Sequence, residues 1–193
     1  ADIAFAGRLG YVVKLLAVAE RVGAAVAVRV HPAMVPATHP LAAVRDSFNA
    51  VFIEGDAVGE LMLYGRGAGG LPTASAVLGD LIDAAHNLRV GGRGRTGTLS
   101  PAVLSPVEEL SSQYYLHMDV VDEPGVLAAV ATVFGAHGVS IRSMEQEGLG
   151  EEARLVFITH KAVERDVQAT LGELRHLPSV ERVGDLLRVI GPE

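Results

Sequence analysis

The chain has 193 residues, a hydrophobic content of 49% and a net charge of −7, and it contains no cysteine. This length allows one packed domain or two modest ones, and the lack of cysteine excludes disulfides, thiolate catalysis and a cysteine-ligated metal. The acidic charge argues against nucleic acid as a partner, and no apolar run reaches the ~18 residues of a membrane helix, so we expect a cytoplasmic protein that does not associate with membranes.

The first half of the chain predicts short strands and two helices. Residues 1–9 resemble a short helix that stops at Gly10, and two apolar strands follow it with a hairpin turn at Val22–Ala24. Pro40 opens a helical turn. Two further strands, "NAVFIEG" and "GELMLYG", precede a helix from Thr73 to about Leu88. The first residues lack the basic region of a signal peptide and an initiator Met, so we expect a piece of a longer or processed protein.

A glycine motif separates the last of these strands from the helix. Gly65, Gly67 and Gly70 spell G-x-G-x-x-G directly after "LMLY". A Rossmann dinucleotide site also needs a second parallel strand and an acidic ribose ligand about 20 residues further on. Here the helix leads into "VGGRGRTGT", and no Gly-Lys-Ser/Thr of a P-loop follows the glycines. The motif therefore predicts a glycine loop that caps a helix and not a self-contained dinucleotide fold.

The composition changes after this helix. Residues 89–112 are rich in glycine, arginine and serine and contain two prolines, which predicts a linker. Its basic stretch "RVGGRGRTG" (89–97) reads as a mobile glycine-rich loop. Beyond it the pattern is strand, helix, two strands joined by "LGEE", helix ended by Pro178, and a final strand "VERVGDLLRVIG". This βαββαβ order is that of a split-βαβ sandwich, with four antiparallel strands and two helices on one face.

The first helix of the second half carries the clearest start signal. Asp122 is expected to cap it by accepting from a free backbone N–H such as that of Gly125, Pro124 fixes φ, and Gly138 stops it. Its predicted apolar stripe is Val126, Leu127, Val130, Val133 and Phe134.

The second half, from Gln113 to about Ile190, resembles an ACT domain, a regulatory module that commonly binds amino acids. The resemblance rests on the run "DEPGVLAAVATVFGAHGVSI" between a strand and a strand pair. It implies an amino-acid effector, threonine, at an interface between paired ACT domains. Many amino-acid-binding members have Asn where this chain has Gly125 or Ser140. The effector-binding residues that it implies are Asp122, Glu123, Pro124, Gly125, Val139, Ser140 and Ile141.

The first half resembles the later part of the homoserine dehydrogenase catalytic domain. The resemblance rests on the segments "RLGYVVKLLAVAE", "HPAMVPATHPLAAVRDSFNAVFIEG" and "LMLYGRGAGGLPTASAVLGDL". The resemblance implies an NAD(P)-dependent enzyme that interconverts aspartate 4-semialdehyde and homoserine, for threonine and methionine biosynthesis, as a homodimer or higher even oligomer. The expected fold is α+β, with residues 1–98 the end of the catalytic and dimerisation domain, 99–112 a linker and 113–193 a ferredoxin-like ACT domain.

The same resemblance places the nucleotide-binding domain and the catalytic Asp and Lys before the region that this chain matches. Lys14 is not the counterpart of that lysine, so no catalytic residue is assigned and the chain alone is expected to be inactive and to bind no cofactor. Gly67, Gly69 and Gly70 are expected near the nicotinamide end of the cofactor of the full-length enzyme, and the choice between NAD and NADP stays open. The histidines lack metal-like pairing, so no metal site is expected. The alternative function is a non-enzymatic amino-acid-binding module.

Overall fold

The computed structural model describes residues 2–92, 99–148 and 152–191, and within them four helices, two 3₁₀ turns and ten strands follow one another. In chain order they are α1 (Asp2–Arg8), β1 (Tyr11–Val22), β2 (Ala25–Pro36), a 3₁₀ turn (Pro40–Ala43), β3 (Phe48–Gly55), β4 (Gly59–Arg66), α2 (Gly70–Val90), a 3₁₀ turn (Val107–Glu109), β5 (Ser111–Val121), α3 (Val126–Ala136), β6 (Ile141–Gly148), β7 (Glu152–Thr159), β8 (Ala162–Val163), α4 (Glu164–Leu174), β9 (Val180–Val183) and β10 (Leu187–Val189).

Several sequence predictions need correction at this level. The predicted single final strand is two strands, β9 and β10, and α2 begins at Gly70, three residues before the predicted start. The predicted linker contains a 3₁₀ turn and a bridge between Leu104 and Val26, so this segment packs against β2. Most of the predicted mobile loop and the first three residues of the predicted turn "LGEE" lie outside the described residues.

The described chain forms two compact units. One combines the residues up to 37 with those from 102 onward, and the other comprises residues 38–101. The first unit is built on a mixed sheet with the strand order β1-β2-β10-β5-β7-β6, in which β8 and β9 also pair with β5. The N-terminal hairpin joins this sheet because β2 runs parallel to β10, with Ala33 opposite Arg188 and Met34 opposite Val189. The predicted domain boundaries at residues 98 and 112 separate the two segments that resemble known families, and these boundaries stay a prediction.

The main core lies between this sheet and helices α3 and α4. Alternate residues of β5 face the helices, as a strand buried on that side requires. Phe134 of α3 packs against Phe157 of β7 with ring centroids 5.1 Å apart. The predicted stripe on α3 is buried except for Leu127, which is 37% exposed. The fully buried large side chains of this core include Tyr114, Leu116, Met118, Phe134, Leu155, Phe157 and Leu174. The second half therefore has the predicted helices on one face of an antiparallel sheet.

The second unit is a two-stranded sheet followed by a long helix. Strands β3 and β4 pair antiparallel from Phe48–Arg66 to Gly55–Gly59. Helix α2 has no buried residue although it contains many large apolar side chains. Its exposed apolar residues are Leu71, Val77, Leu78, Leu81, Ile82, Leu88 and Val90. Apolar patches this extensive mark sites of interaction with another protein segment, a ligand or a membrane.

Candidate functional site

The glycine loop turns the chain from β4 into α2. The N–H of Gly67 donates to the carbonyl of Ser47 at 3.1 Å, and a Cβ at Gly67 would collide with the side chain of Asn49. Gly69 caps α2 with φ of +130°, a conformation that L side chains rarely adopt. Its carbonyl accepts from the N–H of Thr73 at 3.0 Å. The loop thus presents bare backbone at the start of a 21-residue helix.

The rest of a nucleotide fold does not accompany this loop within the described residues. Residues 38–101 contain two antiparallel strands and α2, with no strand–helix–strand unit of parallel strands among the residues described there. A Rossmann site requires such a unit, because the acidic ribose ligand stands at the end of its second strand. Within the described residues the glycine loop therefore does not form a complete dinucleotide site.

The turn between β5 and α3 differs from its prediction at the capping residue. Asp122 does not cap α3: the cap is Gly125, with φ of +95°, and no side chain bonds to the helix start. The Asp122 carboxylate instead accepts from Nε2 of Gln146 at 3.4 Å, across to the end of β6. Residues 122–125 are all exposed. The start of an 11-residue helix and a carboxylate are thus both accessible at this turn, an arrangement suited to a zwitterion.

The other predicted effector residues, 139–141, lie at the opposite end of the same sheet. Strands β5 and β6 are both antiparallel to β7, so they run in the same direction, and β6 begins where α3 ends. An α3 of 11 residues spans roughly 16 Å at about 1.5 Å per residue. Val139 is buried in the core, and only Ser140 is exposed. Within one chain the structure therefore does not bring the turn and residues 139–141 together.

Strand β6 lies at one edge of the sheet. An edge strand offers unpaired N–H and C=O groups to a second strand. If two copies of β6 paired antiparallel, the start of one β6 would face the end of the other, which carries Gln146 beside Asp122. Such pairing would place residues 139–141 of one chain next to the turn of its partner.

A buried carboxylate on β5 organises a charged row that sequence reasoning missed. Asp119 accepts from Nε of Arg154 at 2.8 Å, and from Nε and Nη2 of Arg182 at 3.0 and 2.7 Å. Burial alone would raise the pKa of Asp119, but these two guanidinium groups hold it below its ordinary value. The available signal was an aspartate inside the apolar strand "YYLHMDVV".

A second buried cluster, also missed, joins α4 to β5 and β10. Glu164 accepts from the Tyr114 hydroxyl at 2.8 Å and from Nε2 of Gln168 at 2.8 Å, and it pairs with Arg188. Burial and the neighbouring Glu164 carboxylate raise the pKa of Tyr114. Both oxygens of the Glu164 carboxylate are bound by neighbouring side chains, so this cluster stabilises the fold.

Among the described residues, no group of three His, Asp or Glu side chains lies close enough together to hold a metal ion. His39 accepts from the N–H of Leu41 at 3.1 Å and caps the 3₁₀ turn that Pro40 opens. His31 is buried, which lowers its pKa. In the part of the chain that the structure describes, no helix has the length and apolar character needed to span a membrane.

Comparison with known proteins matches two families along the chain. Residues 1–82 match the homoserine dehydrogenase family, and residues 114–178 match the ACT domain. Among curated proteins, the homoserine dehydrogenase of Corynebacterium glutamicum is 43% identical over 195 residues, which cover 98% of this chain and 44% of that protein. The Bacillus subtilis homoserine dehydrogenase is 38% identical over 195 residues, which cover 98% of this chain and 45% of that protein.

Solved structures give the same relationship. A homoserine dehydrogenase from Thiobacillus denitrificans superposes with a TM-score of 0.90 at 33% identity, over 98% of this chain and 44% of that one. The Staphylococcus aureus homoserine dehydrogenase at pH 7.0 gives a TM-score of 0.64 at 27% identity, over 99% of this chain and 45% of that one. The chain thus spans a little under half the length of the relatives that it matches.

Proposed function

We propose that the chain is the C-terminal part of an NAD(P)-dependent homoserine dehydrogenase, because residues 1–82 match the homoserine dehydrogenase family and residues 114–178 match the ACT domain. The whole enzyme would interconvert aspartate 4-semialdehyde and homoserine in the cytoplasm, on the route to threonine and methionine. The observation that carries the proposal is 43% identity to homoserine dehydrogenases along 98% of the chain. The match of residues 1–82 disfavours the non-enzymatic alternative.

The contribution of this chain to the cofactor site is limited to the glycine loop. NAD(P) supplies or accepts the hydride when it is bound. Gly67, Gly69 and Gly70 can approach the cofactor closely because no side chain projects from them, and Asn49 already fills the space beside Gly67. The exposed apolar face of α2 is then the surface on which the nucleotide-binding part of the enzyme would pack.

An assay of homoserine oxidation distinguishes the isolated chain from the whole enzyme. The purified chain should not oxidise homoserine with either NAD or NADP, whereas a protein that joins it to the N-terminal half of a homoserine dehydrogenase should do so. In the whole enzyme, Gly70→Ala should raise KM for the cofactor more than KM for homoserine. Gly79→Ala in the middle of α2 is the matched control, because both glycines are helical and a Cβ at either position meets no neighbouring atom within 4 Å. Turnover by the chain alone at a rate comparable to the whole enzyme would refute the assignment.

We propose threonine as the effector of the ACT domain. An amino acid carries a carboxylate and an ammonium group. The free start of α3 favours the carboxylate, and the exposed Asp122 carboxylate can pair with the ammonium group. Since Asp122 does not occupy the helix start, the two roles do not compete. Gly125 is a poor place for a test variant, because its φ of +95° strains any side chain placed there.

The effector site is, in this proposal, shared between two chains that pair through β6. The supporting observation is the separation of residues 122–125 from residues 139–141 along α3. A homodimer with two-fold symmetry creates two equivalent composite sites, each with the turn of one chain and the β6 start of its partner. The enzyme is therefore proposed to be a homodimer or a higher even oligomer, which light scattering at micromolar concentration would test.

Mixing two defective variants distinguishes a shared site from a site within one chain. Asp122→Ala removes the turn carboxylate, and Ser140→Arg blocks the exposed start of β6. Each variant alone should show no threonine binding by calorimetry. After refolding together, random pairing should restore about a quarter of the sites, because each mixed pair contains one site with both wild-type halves. A site within one chain would give no restoration.

Calorimetry with the wild-type chain decides the effector itself. Threonine should bind with higher affinity than isoleucine or methionine. If none of the three binds, threonine is the wrong effector. If threonine binds equally well to wild type and to Asp122→Ala, the turn is the wrong site.

A further inference from the structure

Helix α1 connects the two family segments of the chain. Its residues lie in the segment that matches homoserine dehydrogenases, yet it packs on the ACT sheet, on the face opposite to α3 and α4. Phe5 and Ala6 are buried there, and the Phe5 ring lies 5.8 Å from the ring of Tyr115 on β5. They share a core with Met34, Tyr115, Val156, Ile158, Leu187 and Val189.

Polar contacts hold both ends of α1. The Asp2 carboxylate lies 3.0 Å from Nδ1 of His117, which is buried on β5, and it accepts from the Tyr115 hydroxyl at 3.4 Å. At the other end, Arg8 pairs with Glu147 of β6 at 2.8 Å. The helix is thus attached to two strands of the ACT sheet.

The position of α1 on the sheet depends on these few contacts. Two side chains, Phe5 and Ala6, are buried, and Asp2 and Arg8 supply the polar contacts at its two ends. A change on the sheet that weakens one of these contacts shifts the balance between docked and undocked α1.

The end of β6 joins the α1 contacts to the proposed effector turn. Gln146 donates to Asp122, and the next residue, Glu147, binds Arg8. Glu147 also stands opposite Arg154 in the sheet, where Arg154 is fixed by Asp119. The contact of Asp122 with Gln146 is therefore only one residue away from the contact of Glu147 with Arg8, which holds the C-terminal end of α1.

We propose that α1 couples the ACT turn to the homoserine dehydrogenase segment, through the contacts Asp122–Gln146 and Glu147–Arg8. The proposal rests on the proposed effector site. An effector ammonium group that draws Asp122 away from Gln146 loosens the end of β6 and lowers the docked fraction of α1. Because α1 leads into β1, undocking is transmitted to the strands of the homoserine dehydrogenase segment.

Hydrogen–deuterium exchange of the chain tests this coupling without any ligand. In Asp122→Ala and in Gln146→Ala the α1 amides should exchange severalfold faster than in wild type, while the α4 amides should keep their protection. Glu173→Gln is the matched control, because it breaks the exposed ion pair with His137 on the helical face of the sheet. Unchanged exchange of α1 in both turn variants would overturn the proposal.

Threonine provides the second arm. It should accelerate α1 exchange in wild type, and by reciprocity Arg8→Gln, which weakens docking, should bind threonine severalfold more tightly. General structural damage would weaken binding, so tightening is specific to the coupling. Equal affinity of wild type and Arg8→Gln would overturn it. If threonine does not bind at all, the effector proposal fails, and the ligand-free exchange of the turn variants still decides the coupling.

Discussion

Replacing Asp119 with Asn should destabilise the fold in a manner that depends on pH. The carboxylate accepts three hydrogen bonds from Arg154 and Arg182 while its side chain is only 11% exposed. A hydrogen bond to a charged group contributes ~1.5–3 kcal/mol. The Arg182 side chain is 61% exposed, so its ion pair counts as a surface pair of at most ~1 kcal/mol. The sum predicts a loss of about 1.5–4 kcal/mol at pH 7 for Asp119→Asn.

The sign of the pH dependence follows from the lowered pKa of Asp119. The unfolded carboxyl group titrates near pH ~3.9, and the folded one titrates below that. The stabilisation is therefore fully present above pH ~4 and is lost as pH falls through the folded pKa. The asparagine side chain does not titrate, so the difference between wild type and Asp119→Asn should shrink as the pH is lowered below ~4.

Urea denaturation followed by circular dichroism at pH 7, 5 and 3.5 measures this difference. Asp122→Asn is the matched control, because Asp122 is exposed and accepts a single long hydrogen bond, and it should change stability by less than ~0.5 kcal/mol. The reasoning is refuted if Asp119→Asn is as stable as the control at pH 7, or if the loss is as large at pH 3.5 as at pH 7.

Three further predictions concern the folding of the first unit, each measured as the free energy of unfolding at pH 7. Tyr114→Phe should cost ~1.5–3 kcal/mol, because it removes the hydroxyl that donates to the buried Glu164; a cost below ~0.5 kcal/mol would contradict this. Phe134→Ala should lower the free energy of unfolding by ~3–5 kcal/mol, because it leaves a cavity against β7. A much smaller loss would contradict this prediction. Gly172 lies in α4 with open space around it, so Gly172→Ala should stabilise the fold by up to ~1 kcal/mol. Gly125→Ala should destabilise the fold, because φ at this position is +95°. The reasoning is contradicted if both variants change the free energy of unfolding in the same direction.

The elements with strong local signals were predictable from the sequence. The β1–β2 hairpin and the helix α3 follow from apolar patterning with glycine at the turns, and both have the predicted position. The capping role of Asp122 was wrong because the local pattern that suggested it competes with a contact to Gln146, 24 residues away. Local sequence holds no information on which of these two partners the carboxylate takes.

The break in the last strand is also a non-local effect. Gly184 lies so close to the His117 ring that a Cβ there would overlap it, and the N–H of Gly184 donates to the His117 carbonyl at 2.9 Å. The chain is therefore held against β5 between β9 and β10. Only the tertiary packing of His117 indicates this, and the sequence "VERVGDLLRVIG" alone reads as continuous. For the candidate site, which stays a prediction, the sequence already places residues 122–125 before α3 and residues 139–141 after it. The bond from Gln146 to Asp122, and with it the free start of α3, depends on the tertiary arrangement that sets the end of β6 beside the turn.

The parallel pairing of β2 with β10 has a consequence for modular exchange. Regulatory domains are often regarded as units that recombination can attach or remove at a linker. Here β2, which ends at Pro36, pairs with β10 from the second half of the chain, with Ala33 opposite Arg188. A foreign ACT domain grafted after residue 112 would have to offer a last strand that accepts β2 in the same register, and a deletion at that point would leave the edge of β2 without its neighbour. Exchange of the ACT domain is therefore constrained by the pairing of β2 with β10, which the order of segments along the chain does not reveal.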